Sequence, residues 1–477
     1  MAETTRAGVD VATGARRKPR IFYGWYVVAA AAGINVYGAG VWFYGFPIFY
    51  KVLLDEFGWS AAAGAGIISL SRLEGGLEGP IIGWLVDKFG PRRMAIIGAV
   101  IAGTGFWFMS WVHPLTIGPV HINAFIFFVL LYAGWMSVGY NTGFGHASQA
   151  AVNAWFIKKR SRAFAMFSLG AGGSGLTVFA LGWIINDFGW RTAAFFAGVG
   201  IFLIVIPLSL LLRHRPEQYG LLPDGDEPSE RSTSDGDTPR GLPAAPVAAS
   251  EERTREGPRM KVDWPEYDFS VKETLLSMAY WMLILGLSAR AVAMTSVVIH
   301  EINYLTNVRD IPLVQASAAL GAMVTISLVG RLGFGILADY MDKRYVLIIC
   351  TLLQAVGIYL LANVTTMTQV WVFVVVYGIS YGGAIPVTMA IVGEYFGRKN
   401  FATIRGWMQL CNIPTTVLGP VYAGWVYDTT GNYQIAFTTF IVALVVGTVF
   451  IFLARRPPPP VGSGRVERAL STAWPNL

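Results

Sequence analysis

The sequence predicts an all-α membrane protein with twelve transmembrane helices, arranged as two six-helix pseudo-repeats with both termini in the cytoplasm. Three observations indicate this fold class. The chain of 477 residues is 54 % apolar and only 14 % charged, whereas soluble chains carry about 25 % charged residues. Its apolar segments are long enough to cross a bilayer, and its cationic clusters fall in alternate loops. This composition excludes an ordinary soluble enzyme, a disordered chain and a fibrous protein.

The apolar segments justify the count of helices. A helix needs about 20 residues to cross a hydrocarbon core of roughly 30 Å. The chain offers twelve such segments, separated mostly by short loops: 22–50, 60–86, 94–112, 122–152, 164–186, 192–212, 275–304, 314–338, 345–363, 369–393, 402–427 and 434–454.

Three polar stretches divide the chain into domains. Residues 1–20 form a cytoplasmic tail, because the apolar segment that follows is too long for a signal peptide. The stretch 214–270 is rich in proline, serine and acidic residues, which predicts a disordered cytoplasmic linker. Residues 456–477 form a second cytoplasmic tail. The N-terminal bundle is therefore 21–213 and the C-terminal bundle 271–455.

The cationic clusters predict the orientation. Lysine and arginine are retained on the cytoplasmic side of a membrane. Clusters stand in every second loop, and the opposite loops hold few cations, so both termini and the linker are expected inside. The clustered residues are Lys88, Arg92, Arg93, Lys158, Lys159, Arg160, Arg162, Lys343, Arg344, Arg398, Lys399 and Arg405.

Two internal matches indicate that the halves arose by duplication. Gly182-Trp183 and the residues that follow recur at Gly424-Trp425 with a constant offset of 242. Gly83-Trp-Leu-Val-Asp87 recurs as Gly335-Ile-Leu-Ala-Asp339 with an offset of 252. Repeated halves of this kind place a binding site at their interface, near the middle of the membrane.

The loop between spans 2 and 3 resembles the G-x-L-x-D-R/K-x-G-x-R-R motif of the major facilitator superfamily. The glycines allow close helix approach, and an aspartate at a helix end suits a partner helix N-terminus. The resemblance implies a conformational, gating role, with a purely topogenic role as the alternative. The motif residues are Gly83, Asp87, Lys88, Gly90, Arg92 and Arg93, with Asp339 in the second copy.

Within that superfamily the chain resembles the bacterial oxalate/formate antiporter and monocarboxylate-transporter-like group. The resemblance lies in Tyr23-Gly-Trp-Tyr, in Arg215-Pro-Glu-Gln-Tyr-Gly-Leu-Leu-Pro-Asp224 and in Gly330-Arg331-Leu-Gly-Phe-Gly335. It implies that Arg331 binds a substrate carboxylate. Asn412 stands near the position where the oxalate-type antiporters have a lysine, so a monocarboxylate is favoured over a dicarboxylate.

Ionisable residues at membrane depth are costly, by about 2.5–3.5 kcal/mol each on insertion scales, and are therefore candidates for function. Arg331, Arg290 and Arg72 are the candidate cations, since a guanidinium pairs with a carboxylate through two hydrogen bonds. The alternatives are a permanent ion pair of Arg331 with Glu74 or Glu78, and a structural salt bridge of Arg290.

Glu74, Glu78 and His146 are the candidate coupling residues. The two glutamates share one helical face; the alternatives are interdomain ion pairs or proton carriers. His146 titrates near neutrality when unperturbed, or serves as a packing residue. Further pocket candidates on the expected cavity helices are Asn35, Tyr37, Tyr140, Asn141 and Tyr381, with Asn412 on span 11.

The sequence thus predicts a monomeric multi-pass transporter of the cytoplasmic membrane, which moves a small carboxylate by alternating access with protons or an exchanged anion. No enzyme activity, cofactor, metal site or nucleic-acid partner is expected, and membrane lipid is the other partner. The alternatives are an exporter of hydrophobic compounds from the same superfamily and a transporter-like membrane sensor.

Overall fold

The computed structural model describes residues 21–43, 45–59, 61–113, 115–117, 120–226 and 267–458. They form twelve long helices, labelled α1 to α12. Their bounds are Tyr23–Phe43, Ala61–Phe89, Pro91–Ser110, Ala124–Trp155, Arg160–Gly173 continued by Gly175–Phe188, Trp190–Leu211, Met278–Asn307, Leu313–Tyr340, Lys343–Ala362, Met367–Phe396, Phe401–Thr430 and Gln434–Leu453.

Nine of the twelve helices, within the described residues, are long and apolar enough to cross a membrane by length and composition. The other three are α2, α5 and α11. Helix α2 contains Pro80, α11 contains Pro414 and Pro420, and α5 is interrupted at Ser174. All three pack against a helix of the opposite bundle, and neighbouring helices make such residues tolerable in a membrane.

The structure adds three short elements around the twelve helices. A helix Phe46–Phe57 follows α1, and a hairpin of β1 (Leu115–Ile117) and β2 (Val120–Ile122) joins α3 to α4. The all-α prediction did not include this hairpin. A helix Val271–Leu276 precedes α7. Ser270 and Glu273 cap its first turn reciprocally.

The linker prediction of 214–270 needs correction at its ends. Asp224 accepts hydrogen bonds from the backbone N–H groups of residues 157–159, at 2.8–2.9 Å. Asp268 accepts from the N–H groups of Arg398 and Lys399, at 2.7 and 3.0 Å. Both ends of the stretch are therefore packed on loops between helices. The middle of the linker, 227–266, and the tails 1–20 and 459–477 lie outside the described residues.

Candidate functional site

Two seams join the bundles, because α2 packs against α11 and α5 packs against α8. Glycines bring the helices together in both. A Cβ atom added to Gly406 would lie 2.0 Å from the carbonyl oxygen of Gly79. In the second seam, a Cβ atom added to Gly335 would lie 2.4 Å from the Cβ of Ala165. Helices this close require small residues, so any relative movement of the bundles must open these contacts.

One carboxylate holds each seam at the same end of the molecule. Asp87 of α2 accepts hydrogen bonds from the N–H groups of Ala402 and Thr403 at 3.2 and 2.8 Å, and from the Thr403 hydroxyl at 2.6 Å. Asp339 of α8 accepts from the N–H of Ser161 at 3.0 Å and pairs with the Nε of Arg162 at 3.3 Å. Each carboxylate thus meets a helix N-terminus of the opposite bundle, where free N–H groups and the helix dipole favour negative charge.

These contacts define the closed end of the molecule, which is the end that carries Asp87 and Asp339. Asn153 and Arg398 add two bonds across it: the Asn153 amide donates to the carbonyl of Gly397 at 3.3 Å, and Arg398 donates to the carbonyl of Ala154 at 2.9 Å. The bundles are therefore in contact through several backbone groups at this end.

The remaining residues of the predicted gating motif lie in the last two turns of α2, at Gly90 between the helices and in the first turn of α3. Gly83 lies against α11, since a Cβ there would meet the Ala402 carbonyl oxygen at 2.3 Å. Gly90 has a φ of +87°, a conformation that favours glycine. The ammonium of Lys88 lies 4.5 Å from the ring centre of Trp84. Arg92 and Arg93 are exposed in the first turn of α3.

Arg331 connects the bundles deeper in the second seam. It lies eight residues before Asp339 on α8, which corresponds to about 12 Å along the helix. Its side chain is buried, with 4 % exposed, and Nη1 donates to the carbonyl oxygen of Ser168 on α5. The Nε has no partner, and within the described part of the chain no carboxylate pairs with the guanidinium. The alternative of an ion pair with Glu74 or Glu78 is therefore not what the structure contains.

Arg290 lies inside the C-terminal bundle and not in a seam. It is 7 % exposed, and its electrostatic neighbours are Cys350 on α9 and Tyr377 and Tyr381 on α10. Neither its Nε nor its Nη2 has a hydrogen-bond partner among the described residues. Arg290 and Arg331 are thus two buried cations with unused donors, but they contact different helices. The alternative of a structural salt bridge for Arg290 is not found among the described residues.

Glu74 and Glu78 face α4 of their own bundle. The Asn141 amide of α4 donates a hydrogen bond to the Glu78 carboxylate, and Glu74 lies one helical turn before Glu78 on the same face. The alternative of an interdomain ion pair of these glutamates is not found among the described residues, because Glu78 is bonded within its own bundle and Gly79 and Gly83 of α2 lie against α11. The side chain of Arg72 lies outside the described residues.

A small polar cavity of about 40 Å³ separates α4 from α11. Asn141, Gly145, His146 and Gln149 line it from α4, and Arg405 and Gln409 line it from α11. His146 lies close to Arg405 and Gln409 across this cavity. This arrangement connects the Glu74–Glu78 pair, through Asn141, to the first seam.

Arg405 is a site residue that the sequence prediction missed, because it was grouped with the loop cations. It lies in the second turn of α11, and its Nε has no partner among the described residues. The spacing of Arg405, Gln409 and Asn412 is i, i+4, i+7, which places all three on one face of a helix. This row of polar residues on one face of an apolar segment is the sequence pattern that indicates a membrane-embedded position for Arg405.

Three pocket candidates are used in helix packing. The Asn35 amide donates to the carbonyl of Phe167 at 3.3 Å, and the Tyr37 hydroxyl donates to that of Ala197 at 2.8 Å. Tyr140 stacks on Trp42 with 5.2 Å between ring centres. Since their groups already have protein partners, we remove Asn35 and Tyr37 from the candidate site.

Tyr381 and Asn412 keep a place near the buried arginine of the C-terminal bundle. Tyr381 is half-buried beside Arg290 and stacks on Tyr377, with 6.4 Å between ring centres. Asn412 accepts a hydrogen bond from the hydroxyl of Ser288 at 2.6 Å. The position expected to distinguish monocarboxylate from dicarboxylate substrates is therefore neutral and hydrogen-bonded.

Curated proteins similar to this chain along most of its length include several that are named as transporters. Monocarboxylate transporter 13 of Rattus norvegicus is 24 % identical over 439 residues, which covers 89 % of this chain and 87 % of that protein. Monocarboxylate transporter 3 of Gallus gallus is 24 % identical, with coverage of 92 % and 80 %. The uncharacterized MFS-type transporter YcxA of Bacillus subtilis is 21 % identical, with coverage of 90 % and 93 %.

Solved structures share the fold at low sequence identity. The proton:xylose symporter XylE superposes with a TM-score of 0.64 at 12 % identity, covering 90 % of this chain and 95 % of that one. The human organic anion transporter MFSD10 superposes with a TM-score of 0.60 at 13 % identity, with coverage of 90 % and 99 %. The family model described as Major Facilitator Superfamily matches residues 30–334 and 276–476. The chain therefore belongs to the Major Facilitator Superfamily.

Proposed function

We propose that this protein is a secondary transporter that moves small monocarboxylates across the cytoplasmic membrane by alternating access, as a monomer and without enzymatic activity. The observation that carries the proposal is Arg331, a buried arginine that crosses the seam between α5 and α8 and has unused donors. The relatives named as monocarboxylate transporters support the substrate class.

The contacts of Arg331 suggest how substrate binding and bundle movement are connected. A guanidinium offers five N–H donors, and one of them bonds to the Ser168 carbonyl. A substrate carboxylate is a stronger acceptor than this carbonyl and takes two parallel hydrogen bonds. Substrate that binds Arg331 therefore competes with the contact that ties α8 to α5 at this depth.

The size and charge of the substrate follow from the neighbouring residues. One buried guanidinium in the seam matches one carboxylate. Asn412 adds no second cation, since its side chain is neutral and already accepts from Ser288. The proposal is therefore a monocarboxylate such as lactate or pyruvate. Arg290, with Tyr381 beside it, is a second contact or a gate for the same anion.

Glu74 and Glu78 are our candidates for proton coupling, with His146 as an additional one. The two carboxyl groups lie one helical turn apart on the same face of α2, and two negative charges that close repel each other, which favours binding of a proton by one of them. The pair reaches the interbundle cavity through Asn141. Exchange against an internal anion is the alternative driving force. The positive loops predict that the closed end is cytoplasmic.

Uptake into proteoliposomes tests the proposal. Labelled lactate, pyruvate, formate and oxalate are offered with and without an inward proton gradient. We expect uptake of the monocarboxylates, with oxalate the poorest substrate. Arg331→Ala is expected to lose at least about tenfold in uptake, because it removes a charge-assisted contact, and Arg331→Lys to restore part of it.

Arg191→Ala is the matched control, because Arg191 is about half exposed and pairs with Glu56 in the N-terminal bundle. Its uptake should stay close to that of the unmutated protein. Undiminished uptake by Arg331→Ala would disprove the binding assignment. Glu78→Gln with unchanged stimulation by the proton gradient would remove the glutamate pair from the coupling mechanism and leave anion exchange.

A further inference from the structure

The loop that joins α2 to α3 borders a cavity of about 460 Å³ at the closed end of the N-terminal bundle. This volume lies in the usual range for small-molecule pockets, roughly 300–1,000 Å³. Its lining is strongly basic and contains no aspartate or glutamate. The polar lining residues are Lys88, Arg92, Arg93, Arg213, His214, Gln218 and Tyr219.

Two of the basic residues are held in place before any ligand arrives. The guanidinium of Arg213 lies between two rings, 3.9 Å from the centre of Tyr23 and 4.3 Å from that of Tyr219. The indole of Trp155 donates to the Arg213 carbonyl at 3.0 Å. The Nδ1 of His214 is enclosed and has no partner among the described residues. Stacked and enclosed groups of this kind lose little freedom on binding, which favours affinity.

A helix N-terminus opens onto the same cavity. Helix α3 begins at Pro91, directly after Gly90, and has 20 residues. By helix geometry the N–H groups of Arg92 and Arg93 have no carbonyl partner within α3. Gly90 supplies no side-chain cap. The positive end of the helix dipole therefore adds to the basic side chains.

In the repeated half of the molecule, a carboxylate of the chain itself caps the helix N-terminus that corresponds to that of α3. Position 342 corresponds to Gly90 by the offset of 252. There Asp342 caps α9 by accepting from the N–H of Arg344 at 2.9 Å. The first half lacks this carboxylate and has a basic cavity instead. The comparison of the two halves indicates that a negative charge would be favourable at the N-terminus of α3.

The surroundings of His214 agree with a site of positive potential. Burial and the neighbouring Arg215 lower the pKa of His214, while Glu217 raises it. The nearest carboxylates are occupied elsewhere. Glu217 pairs with Arg398 at 2.8 Å, and Asp87 points to the N-terminus of α11.

We propose that the cavity lined by Lys88, Arg92, Arg93, Arg213 and His214 binds a phosphate-bearing anion, which gives the N-terminus of α3 the negative charge that Asp342 gives to α9. Phosphate suits this lining because it accepts hydrogen bonds from arginine side chains and helix N–H groups together. The anion is either a soluble phosphate compound or the head group of an anionic phospholipid. Because Asp87 lies in the last turn of α2, three residues before Gly90, a bound anion stabilises the junction of α2 and α3 beside the contact that closes the first seam.

Thermal unfolding of the purified full-length protein in detergent tests this site. The probes are inorganic phosphate, short-chain phosphatidylglycerol and, as a control, chloride at matched ionic strength. We expect phosphate or phosphatidylglycerol to raise the unfolding temperature in a saturable way, beyond any effect of chloride. An effect of inorganic phosphate identifies a soluble ligand, and an effect of phosphatidylglycerol alone identifies a lipid head group.

A matched pair of variants separates the cavity from general surface charge. Arg92→Gln should weaken the apparent affinity by about fivefold or more, which is about 1 kcal/mol. Arg344→Gln changes the corresponding position in the second half and should leave the affinity within about twofold. If Arg92→Gln does not fold, Lys88→Gln replaces it, since Lys88 lies at the surface. Equal losses in both halves, or no stabilisation beyond chloride, would overturn the proposal.

Discussion

The two seams between the bundles are closed by the same kind of contact, an aspartate bound at a helix N-terminus, which we call a lock. They differ in the residues that lie deeper in the membrane. Asp87 holds α2 to the N-terminus of α11, and Asp339 holds α8 to the N-terminus of α5. Deeper in, glycines bring the backbones of α2 and α11 together and the Gln409 side chain donates to the carbonyl of Gly75, whereas Arg331 crosses the α5–α8 seam. The duplicated motif therefore provides the lock in both seams. The seams differ because the α5–α8 seam contains Arg331, which can bind an anion. We propose that binding of the substrate anion at Arg331 opens the α5–α8 seam, and that the α2–α11 seam opens as a result.

The largest effect is expected from Gly406→Ala in the first seam. The added Cβ would lie 2.0 Å from the Gly79 carbonyl oxygen, which is backbone and cannot rotate away. The helices must separate, so uptake should fall by more than about tenfold, in line with the cost of overpacking. Proteoliposome uptake measures the effect, with size-exclusion profiles as the control for folding. Normal uptake by this variant would show that the seam does not close during transport.

The corresponding change in the second seam should be reversible by a partner substitution. Gly335→Ala places a methyl group 2.4 Å from the Cβ of Ala165. The neighbour is a side chain, so Ala165→Gly in the same protein restores the space. We expect Gly335→Ala to lower uptake severalfold and the double variant to recover most of it, as coupled neighbours do. Failure of the double variant to recover would mean that the seam is not held by this contact.

Asp87→Asn and Asp339→Asn test whether the two locks are equivalent. An amide keeps the shape but loses the charge at the helix N-terminus, at a cost of about 1 kcal/mol. Each variant should therefore shift the equilibrium between closed and open forms by about fivefold. Alkylation of Gln149→Cys, in a protein whose Cys350 and Cys411 are serine, reports this opening, because Gln149 lines the cavity behind the first lock. A response in one variant only would contradict a duplicated lock.

Arg162→Gln should give the smallest effect. The ion pair of Arg162 with Asp339 is partly exposed, with 31 % of the arginine side chain accessible. Such pairs contribute about 0.2–1 kcal/mol, and the backbone N–H groups of α5 still bind Asp339. The same alkylation assay should show a change of about twofold or less. A loss as large as that of Asp339→Asn would place the lock in the ion pair instead of the helix terminus.

Sequence reasoning predicted those parts of the molecule that depend on local pattern. The twelve helices follow from apolar length, and the Asp87 and Asp339 locks follow from a repeated motif that ends a helix. The partner of Asp339 on α5 follows from symmetry once the repeat is recognised. The hairpin between α3 and α4 was not predicted, because its strands have only three residues each.

The site was predicted less completely, since the partner of a polar side chain is decided by tertiary packing. Tyr37 and Asn35 have the residue types of a pocket, yet backbone carbonyls of other helices satisfy them. Arg405 has the residue type of a cytoplasmic loop, yet it lies within α11 beside His146. A single sequence shows that these residues are polar but not which helix each one meets.

The anchoring of Asp224 and Asp268 has a consequence for how the molecule assembles. Asp224 follows α6 and binds the loop between α4 and α5, whereas Asp268 precedes α7 and binds the loop between α10 and α11. Each end of the linker is thus fixed by an aspartate to a loop of its own half. Asp224 does this where the chain leaves the first half, and Asp268 where it enters the second. In evolutionary terms, a fusion of two duplicated genes would leave both of these contacts in place, and the ion pair of Glu217 with Arg398 adds a contact between the first end of the linker and the opposite half. In practical terms, the two halves should assemble when they are produced as separate polypeptides.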